Sequence, residues 1–268
     1  MKMDLLSKLS RGIFCKAPDK KKRAAMLLAY IVAGSFFVLF LKPVYLVSIL
    51  IVLVPPALAN FFWLKNSRKK VLVFSIATTL LFALPVELSC RLADVWDVQS
   101  VLPRIFGLIP LENILFAFLN FFWILSFYEY FIDDDRLRGI SKRFKYLIGL
   151  YLLLNFAVFG LYLYNSQIVA LNYFTMALLV LIVPASIIYA KKISLIKKAI
   201  WPTIFFALVF FIYETVSLVI GSWWWPGEYL LSFQFFGQTF PIDDVIIWYF
   251  LSTPALIGGY EYFCDDWK

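Results

Sequence analysis

The chain has 268 residues, of which 63% are hydrophobic and only 16% are charged, and its net charge is +8. An average soluble domain is far less apolar, so this composition excludes a soluble globular protein and places the chain in the membrane class. The basic residues stand in short clusters between apolar stretches, as in the flanks of membrane helices, which also excludes a nucleic-acid-binding protein.

The apolar stretches follow a basic arm over residues 1–23, which has no small-residue cleavage site of the signal-peptide type after it. They approach the roughly 20 residues that a helix needs to cross a bilayer. We therefore predict an all-α polytopic membrane protein of about eight transmembrane helices. The predicted spans are residues 24–41, 44–64, 71–89, 110–131, 144–164, 168–190, 199–220 and 241–263.

Basic clusters occupy alternate connections between these spans: the N-terminal arm, residues 65–70, residues 133–145 and residues 191–198. The positive-inside rule predicts that these connections and both termini are cytoplasmic, in the cell membrane. The two long connections on the other side, residues 91–109 and 221–240, are rich in Trp, Phe and Gly. That composition predicts interfacial or re-entrant segments.

The second half of the chain repeats features of the first at an offset of 127 to 132 residues. We predict a first repeat over residues 24–134, a cytoplasmic linker over 135–143 and a second repeat over 144–266. Four spans in each half give the halves the same orientation, with a cavity shared between them. The matched pairs are Glu87 with Glu214, Trp96 with Trp225, Gly107 with Gly237, Pro110 with Pro241, Glu112 with Asp243, and YEYFIDD (128–134) with YEYFCDD (260–266).

Acidic residues stand at both ends of the two outer connections. Glu112 follows Pro110 and is placed to start a helix, since proline and acids are both favoured in a first turn. Glu87 and Glu214 lie near the ends of apolar runs, where a charge costs up to about 2.5–3.5 kcal/mol at the helix centre. We therefore expect Glu87 to meet Glu112, and Glu214 to meet Asp243 and Asp244, at one membrane depth.

A second set of acids lies at the cytoplasmic ends of the same helices. We interpret Glu129 and Glu261, which are flanked by tyrosines, as interfacial residues in contact with headgroup water. The aspartates at 133–135, 265 and 266 are interpreted as solvated caps, although a diphosphate and Mg²⁺ motif is the alternative. The absence of histidine and the wide separation of Cys15, Cys90 and Cys264 support neither a disulfide nor a Cys/His metal site.

An acid ending one span, a Trp-containing linker, a Gly and then Pro-x-acid opening the next span occur twice, in residues 94–116 and 214–250. This arrangement resembles the membrane-integral, non-flavin lycopene cyclases in their fused tandem form, over nearly the whole chain. The chain also lacks a Gly-x-Gly-x-x-Gly dinucleotide fingerprint. It differs from the Pro-x-Glu-Glu typical of that family, because it has PLEN at 110–113 and PIDD at 241–244.

The resemblance implies a carotenoid substrate held among membrane lipids, no cofactor and no metal, and an isomerase that cyclises linear ψ end groups to ionone rings. Asp243 or Asp244 would donate a proton and Glu112 or Glu214 would remove one, with Glu87 in the same site. Aromatic faces would stabilise the intermediate cation. The implied substrate-binding residues are Trp96, Phe116, Trp223, Trp224, Trp225, Pro110 and Pro241.

Two other classes of protein remain open at this stage. A transporter or lipid-binding protein would also have duplicated halves, but it would show broken helices deep in the spans. A Mg²⁺-dependent prenyltransferase would use the cytoplasmic aspartates, Asp133 and Asp134 first among them.

Overall fold

The protein is all-α and polytopic, as predicted. The computed structural model describes residues 18–267, so most of the predicted basic arm, with Cys15, lies outside the described residues. Seven helices in this part of the chain are long and apolar enough to cross a membrane. Six-residue or longer strands are not found in residues 18–267; the few strands there span two to four residues.

The helices follow one another up and down along the chain. The seven membrane-length helices are α1 (Pro18–Leu41), α2 (Tyr45–Trp63), α3 (Arg68–Leu92), α4 (Leu111–Ile132), α5 (Phe144–Tyr164), α6 (Tyr173–Lys191) and α7 (Leu195–Val219). Helix α8 covers residues 242–263. Short π-helical segments interrupt four of these helices, at Thr79–Ala83, Tyr128–Ile132, Leu178–Ile182 and Val245–Ser252.

The eighth predicted span is helical but is not among the seven most apolar helices. Helix α8 carries Asp243, Asp244 and Glu261, and it packs against α4, α6 and α7. A helix covered by other helices does not have to match the polarity of lipid. The prediction of a helix at this position is therefore confirmed, although α8 is less apolar than the other seven helices.

Two helix starts shift by five residues or more. Helix α1, predicted from residue 24, begins at Pro18, and α6, predicted from residue 168, begins at Tyr173. A short 3₁₀ turn, Ser166–Ile168, fills the difference. The side chain of Asn172 then accepts a hydrogen bond from the Thr175 N–H at 2.8 Å and caps the new helix. Local capping therefore overrides the hydrophobic pattern at this point.

The basic connections all lie at one end of the bundle, together with the C-terminal residues. Lys20 bonds to Asp134 at 2.7 Å, and the backbone of Lys65 and Asn66 bonds to Asp135. The N–H of Ser141 bonds to the carbonyl of Cys264 at 3.0 Å. We call this end the basic end.

The opposite end, which we call the outer end, carries two hairpins and one strand pair that joins the halves. β1 (Asp97–Val98) pairs with β4 (Trp223–Trp224) across the halves. The first hairpin pairs β2 (Arg104–Ile105) with β3 (Ile109–Pro110), and the second pairs β5 (Ser232–Phe235) with β6 (Gln238–Pro241).

The two hairpin tips have the same conformation in both halves. Phe106 and Gly107 have φ of 53° and 71°, and Phe236 and Gly237 have φ of 47° and 71°. Two consecutive residues with positive φ are typical of the type I′ hairpin turn, whose second position favours glycine. The matched Gly107 and Gly237 of the sequence repeat are therefore turn residues.

The two halves pack along one another. Helix α1 of the first half lies against α7 of the second, and α4 lies against α8. Trp123 and Phe127 of α4 stack on Phe205 and Phe206 of α7, with ring centroids 4.4 to 6.2 Å apart. The boundaries of the repeats at 24–134 and 144–266 stay a prediction, but any cavity between them is built from both.

Candidate active site

A cavity of about 390 Å³ lies between the two halves, below the outer connections. Its walls come from α3, α4, α5, α6, α7 and α8 and are almost entirely apolar. Three acids face it: Glu87 of α3, Glu214 of α7 and Asp244 of α8. Its aromatic lining includes Tyr45, Phe82, Trp96, Phe116, Tyr173, Phe210, Tyr213, Trp223, Trp225 and Trp248.

Glu214 and Asp244 form a pair of carboxyl groups within hydrogen-bonding reach of each other. Tyr249 donates to Glu214 Oε2 at 2.7 Å, and Tyr173 donates to Asp244 Oδ1 at 2.8 Å. The remaining oxygens, Glu214 Oε1 and Asp244 Oδ2, are buried and receive no N–H or tyrosine donor. Two carboxyl groups this close in an apolar cavity disfavour ionisation of both, so the arrangement favours one proton shared between them.

Glu87 has a different environment on the side of the first half. It accepts hydrogen bonds from the Trp96 indole N–H at 3.1 Å and from the Asn113 side-chain amide. Both neighbours supply N–H groups and neither is a carboxyl group. A carboxylate is satisfied by such donors, so Glu87 is suited to accept a proton.

These two acidic sites are equivalent positions of the repeat. Glu87 corresponds to Glu214 and Asn113 to Asp244, one residue beyond the Glu112 and Asp243 pair. The matched tryptophans differ in detail, because the Trp225 indole nitrogen lies beside Glu214 without a well-formed hydrogen bond. One chemical difference, amide against carboxyl, therefore suits the first half to accept a proton and the second half to share one.

The structure brings together three of the five predicted acids and separates the other two from the cavity. Glu112 Oε1 accepts the N–H groups of Val101 and Leu102, both at 2.7 Å, and Glu112 Oε2 accepts the Ser100 hydroxyl at 2.8 Å. Asp243 Oδ2 accepts the Leu230 N–H at 2.8 Å. The expectation that both face the cavity is wrong, because each ties an outer connection to the start of its helix.

The predicted substrate-binding residues divide in the same way. Trp96, Phe116, Trp223 and Trp225 line the cavity, and contact with a substrate stays a prediction for them. Trp224 does not line it; its side chain points outward in β4 and is 46% exposed. Pro110 and Pro241 also lie outside the lining, because they occupy the positions immediately before α4 and α8.

Tyr173 and Tyr249 were not singled out from the sequence, although they donate to the carboxyl pair. The repeat contains a signal for the first, since Tyr45 and Tyr173 are 128 residues apart and begin equivalent helices. Both line the cavity. Tyr249 lies within an aromatic run, and no pattern of the sequence distinguishes it from its neighbours.

A second acidic cluster lies at the basic end, and it is buried. Lys70 Nζ lies 2.7 Å from Glu129 and 2.6 Å from Asp265, and all three side chains are almost completely buried. The interpretation of Glu129 as a residue in headgroup water is therefore wrong. Asp265 was likewise interpreted as a solvated cap, and it is an ion-pair partner instead.

The same cluster is repeated with the halves exchanged. Lys198 Nζ lies 2.7 Å from Asp133 and 3.0 Å from Glu261. Tyr128 donates a hydrogen bond to Glu261, and Tyr260 donates the equivalent one to Glu129. Each half thus supplies a tyrosine and an aspartate to the other, in the reciprocal manner of a two-fold interface.

Glu129, Asp133 and Asp265 each place a carboxylate oxygen within 4.8 Å of the others, a spacing that a divalent cation could bridge. The ammonium groups of Lys70 and Lys198 already lie among these oxygens. Burial raises the pKa of Asp133, and it outweighs the hydrogen bond and charge of Lys198. The donor set therefore suits an internal ion-pair network better than a high-charge cation site.

Asp135, the third aspartate of this segment, has yet another role. It accepts the N–H groups of Asn66 and Ser67 at 2.9 and 2.8 Å, at the start of α3. Burial raises its pKa, but the hydrogen bonds from Ser67, Lys65 and Asn66 outweigh burial, so the pKa lies below its ordinary value. Its carboxylate caps a helix from a distant part of the chain.

No protein-family description, curated protein or solved structure matches this chain. The likeness to the lycopene cyclases accordingly rests on the two repeated sequence motifs. The geometry of the cavity is an independent source of functional inference.

Proposed function

We propose that this membrane protein is an isomerase that protonates a terminal double bond of a linear carotenoid, closes the ring and then removes a proton. The substrate class is a carotenoid with ψ end groups, such as lycopene, and the product carries ionone rings. One observation carries the proposal: a close pair of carboxyl groups, Glu214 and Asp244, and a separate acid, Glu87, face the same apolar, aromatic cavity.

The reaction begins at the Glu214 and Asp244 pair. The pair transfers its proton to one carbon of the terminal alkene, which leaves a tertiary cation on the adjacent carbon. The two tyrosines that bond to the pair, Tyr173 and Tyr249, stabilise the negative charge left on it. No electron is gained or lost in this step, so no redox cofactor is required.

Ring closure follows in the aromatic part of the cavity. The electron pair of the next double bond forms the new carbon–carbon bond and moves the positive charge into the ring. Phe116 stacks on Trp248 with centroids 5.9 Å apart, and Trp223 meets Tyr45 at 5.6 Å. Aromatic faces attract a cation within about 6 Å and are poor nucleophiles, so they stabilise the charge without trapping it.

Glu87 completes the reaction by removing a ring proton, which regenerates a double bond. Its hydrogen bonds with Trp96 and Asn113 fix the carboxylate on the opposite half from the donor pair. The substrate gains one proton and loses another, so the product is an isomer. The identity of the proton that Glu87 reaches decides the ring type.

The same proposal includes an orientation in the membrane. The basic end would face the cytoplasm of a cell whose membrane holds the chain, with both termini on that side, because positively charged connections are retained there. The cavity and its acids would then lie toward the outer leaflet. Substrate would enter from the lipid phase, since a carotenoid is insoluble in water.

The direct test is expression in cells that accumulate lycopene, with pigments separated by chromatography. We expect cyclic carotenoids, and membranes supplied with unlabelled lycopene in deuterated water should place one non-exchangeable deuterium in each ring. The control is Glu228→Gln, which changes an exposed acid on the outer end. Unchanged lycopene alongside folded protein would contradict the proposal.

A Mg²⁺-dependent prenyltransferase is the second candidate, because Glu129, Asp133 and Asp265 lie close enough to bridge a cation. It predicts that activity disappears with a chelator and with Asp133→Asn. The cyclase predicts that the chelator has no effect on product. A carrier without catalysis would bind the carotenoid and leave it unchanged in both experiments.

A further inference from the structure

A second apolar space of about 380 Å³ lies on the outside of the bundle, in a groove between α6, α7 and α8. Its α7 wall includes residues that are open to the lipid, with Ile196, Ile200 and Ile204 exposed by 42%, 44% and 52%. The hydroxyl of Thr203, also in this wall, already donates to the Ala199 carbonyl at 2.8 Å. The groove is therefore apolar, elongated and accessible from the membrane.

The groove and the reaction cavity share three wall residues: Leu181 and Ala185 of α6, and Ala255 of α8. Two of these three are alanines, so the partition between the two spaces is thin. On the side of this partition toward the basic end, α6 and α8 are in direct contact. Tyr189 donates to the Pro254 carbonyl at 2.8 Å, and a Cβ at Gly258 would lie 3.1 Å from the Tyr189 ring.

The helices on either side of this partition are both irregular. Helix α6 has a π-helical segment at Leu178–Ile182, which ends three residues before Ala185, and α8 has one at Val245–Ser252, which ends three residues before Ala255. Such segments are frequent at functional sites because they reshape the surface of a helix. Here they lie on both sides of the only apolar wall that the two spaces share in the described part of the chain.

We propose that a rod-shaped polyene passes between Ala185 and Ala255, with its end group in the reaction cavity and its chain in the groove. This inference rests on the proposed function for the substrate class. A linear carotenoid is much longer than its end group, and a cavity of about 390 Å³ is near the lower limit of roughly 300–1,000 Å³ for ligand pockets. The remainder of the polyene therefore needs an exit, and the groove supplies one that continues from the cavity.

The proposed path also sets a direction. The acids lie at the outer end, and the groove extends past Tyr189 to Ile196 near the basic end. The substrate would therefore stand along the membrane normal, one end group in the site and the other toward the opposite leaflet. Only one end can react at a time, so a two-ring product would need release and rebinding in the reverse orientation.

Binding can be measured separately from catalysis through tryptophan fluorescence, which a polyene in the Trp-lined cavity would quench. We would use protein in lipid nanodiscs, in the Asp244→Asn background to prevent turnover. The probes are lycopene and a short apo-lycopenal that carries the same end group. The test variant is Ala185→Phe, and the matched control is Ala190→Phe on the exposed face of the same helix.

We expect Ala185→Phe to weaken lycopene binding by about tenfold or more, because the new ring blocks the passage. Ala185 also lines the cavity, so selectivity between the two probes is measured in Thr203→Phe, whose position lines the groove alone. Thr203→Phe should weaken lycopene binding by about tenfold and leave the short probe almost unaffected, and Ala190→Phe should alter the binding of neither probe.

Equal effects on both probes in Thr203→Phe, or no quenching of the parent protein by lycopene, would overturn the inference and leave the groove as a site for membrane lipid only. Binding with the expected selectivity but no cyclic product from the native chain would contradict the proposed function and support the polyene path through the groove. Full cyclisation of lycopene by Thr203→Phe would contradict the polyene path through the groove and support the proposed function.

Discussion

Asn113 occupies in the first half of the molecule the position that Asp244 occupies in the second. Each lies one residue after an acid that ties down an outer connection, and each contacts the buried glutamate of the preceding helix. The pairing of Asn113 with Glu87 shows that an amide fits this position without loss of the hydrogen bond. Asn113 therefore indicates that an asparagine can replace Asp244 without disturbing the fold.

The substitution Asp244→Asn should abolish cyclisation and preserve the fold. An asparagine amide can donate to Glu214 as Asn113 does to Glu87, but it removes the shared proton. We expect the rate to fall by about 10²–10⁴-fold, the usual contribution of a general acid. Chromatographic yield per amount of folded protein measures the effect, and substantial product from this variant would exclude the carboxyl pair as the donor.

The double substitution Asn113→Asp with Asp244→Asn should restore part of the activity. It moves the carboxyl pair to Glu87 in the first half and leaves Glu214 beside an amide, so the two halves exchange roles. We expect a recovery of about tenfold over Asp244→Asn alone, on the scale of a general-acid contribution. A double variant as inactive as the single one would show that the first half cannot act as a donor.

The substitution Glu112→Ala should affect stability rather than chemistry. It leaves the N–H groups of Val101 and Leu102 without their acceptor, and losing hydrogen bonds to a charged group costs about 1–3 kcal/mol. Thermal unfolding in detergent measures the loss, and activity per folded molecule should stay near that of the native chain. Complete inactivity of a folded variant would return Glu112 to the list of catalytic candidates.

The substitution Lys70→Met should be among the most destabilising in the molecule. It leaves Glu129 and Asp265 buried without their counter-ion, and removal of one partner of a buried ion pair costs about 3–5 kcal/mol. The matched control is Lys69→Met at the neighbouring exposed position. Similar unfolding temperatures for the two variants would show that the cluster is not held by the lysine.

The substitution Asp135→Asn should produce a stability loss that depends on pH. The pKa of Asp135 is lowered in the folded protein, so its contribution is present above the unfolded carboxyl pKa of about 3.9. That contribution is lost as the pH falls through the lowered folded value. We expect a loss of about 1 kcal/mol at neutral pH, as for a helix cap.

The difference between the native chain and Asp135→Asn should therefore close as the pH falls below about 4. Unfolding temperatures measured across pH 3 to 7 would show it, with Glu228→Gln as a control without a capping role. A constant difference over that whole range would show that the charge of Asp135 is not involved.

Hydropathy located the helices because each span must satisfy its backbone internally and present apolar side chains to lipid. It did not show that α8 is covered by other helices, and it placed the start of α6 five residues early because a local cap intervenes at Asn172. The same limit explains the misinterpretation of Glu129 and Glu261. Adjacent tyrosines and acids at a helix end have the same sequence pattern whether they contact headgroups or a lysine 59 or 63 residues away.

The repeated acids show most clearly what the sequence predicts and what it does not. Repetition in the sequence identified Glu87, Glu112, Glu214, Asp243 and Asp244 as one group, because the offset between the halves preserves them. Residues next to each other on a helix point in directions that differ by about a quarter turn or more. Glu112 and Asp243 therefore turn toward the backbone of the outer connections, whereas Asn113 and Asp244 turn toward the buried glutamates.

Composition and periodicity establish that the chain is a helical membrane protein, where its spans lie and which acids are repeated, because both respond to lipid and to helix geometry. The contacts between helices show which of those acids share a cavity, that Asn113 and Asp244 both face the buried glutamates, and that two lysines neutralise the acids of the basic end. These relationships depend on contacts between residues far apart in the chain, and the sequence pattern of one span does not indicate which distant residues contact it.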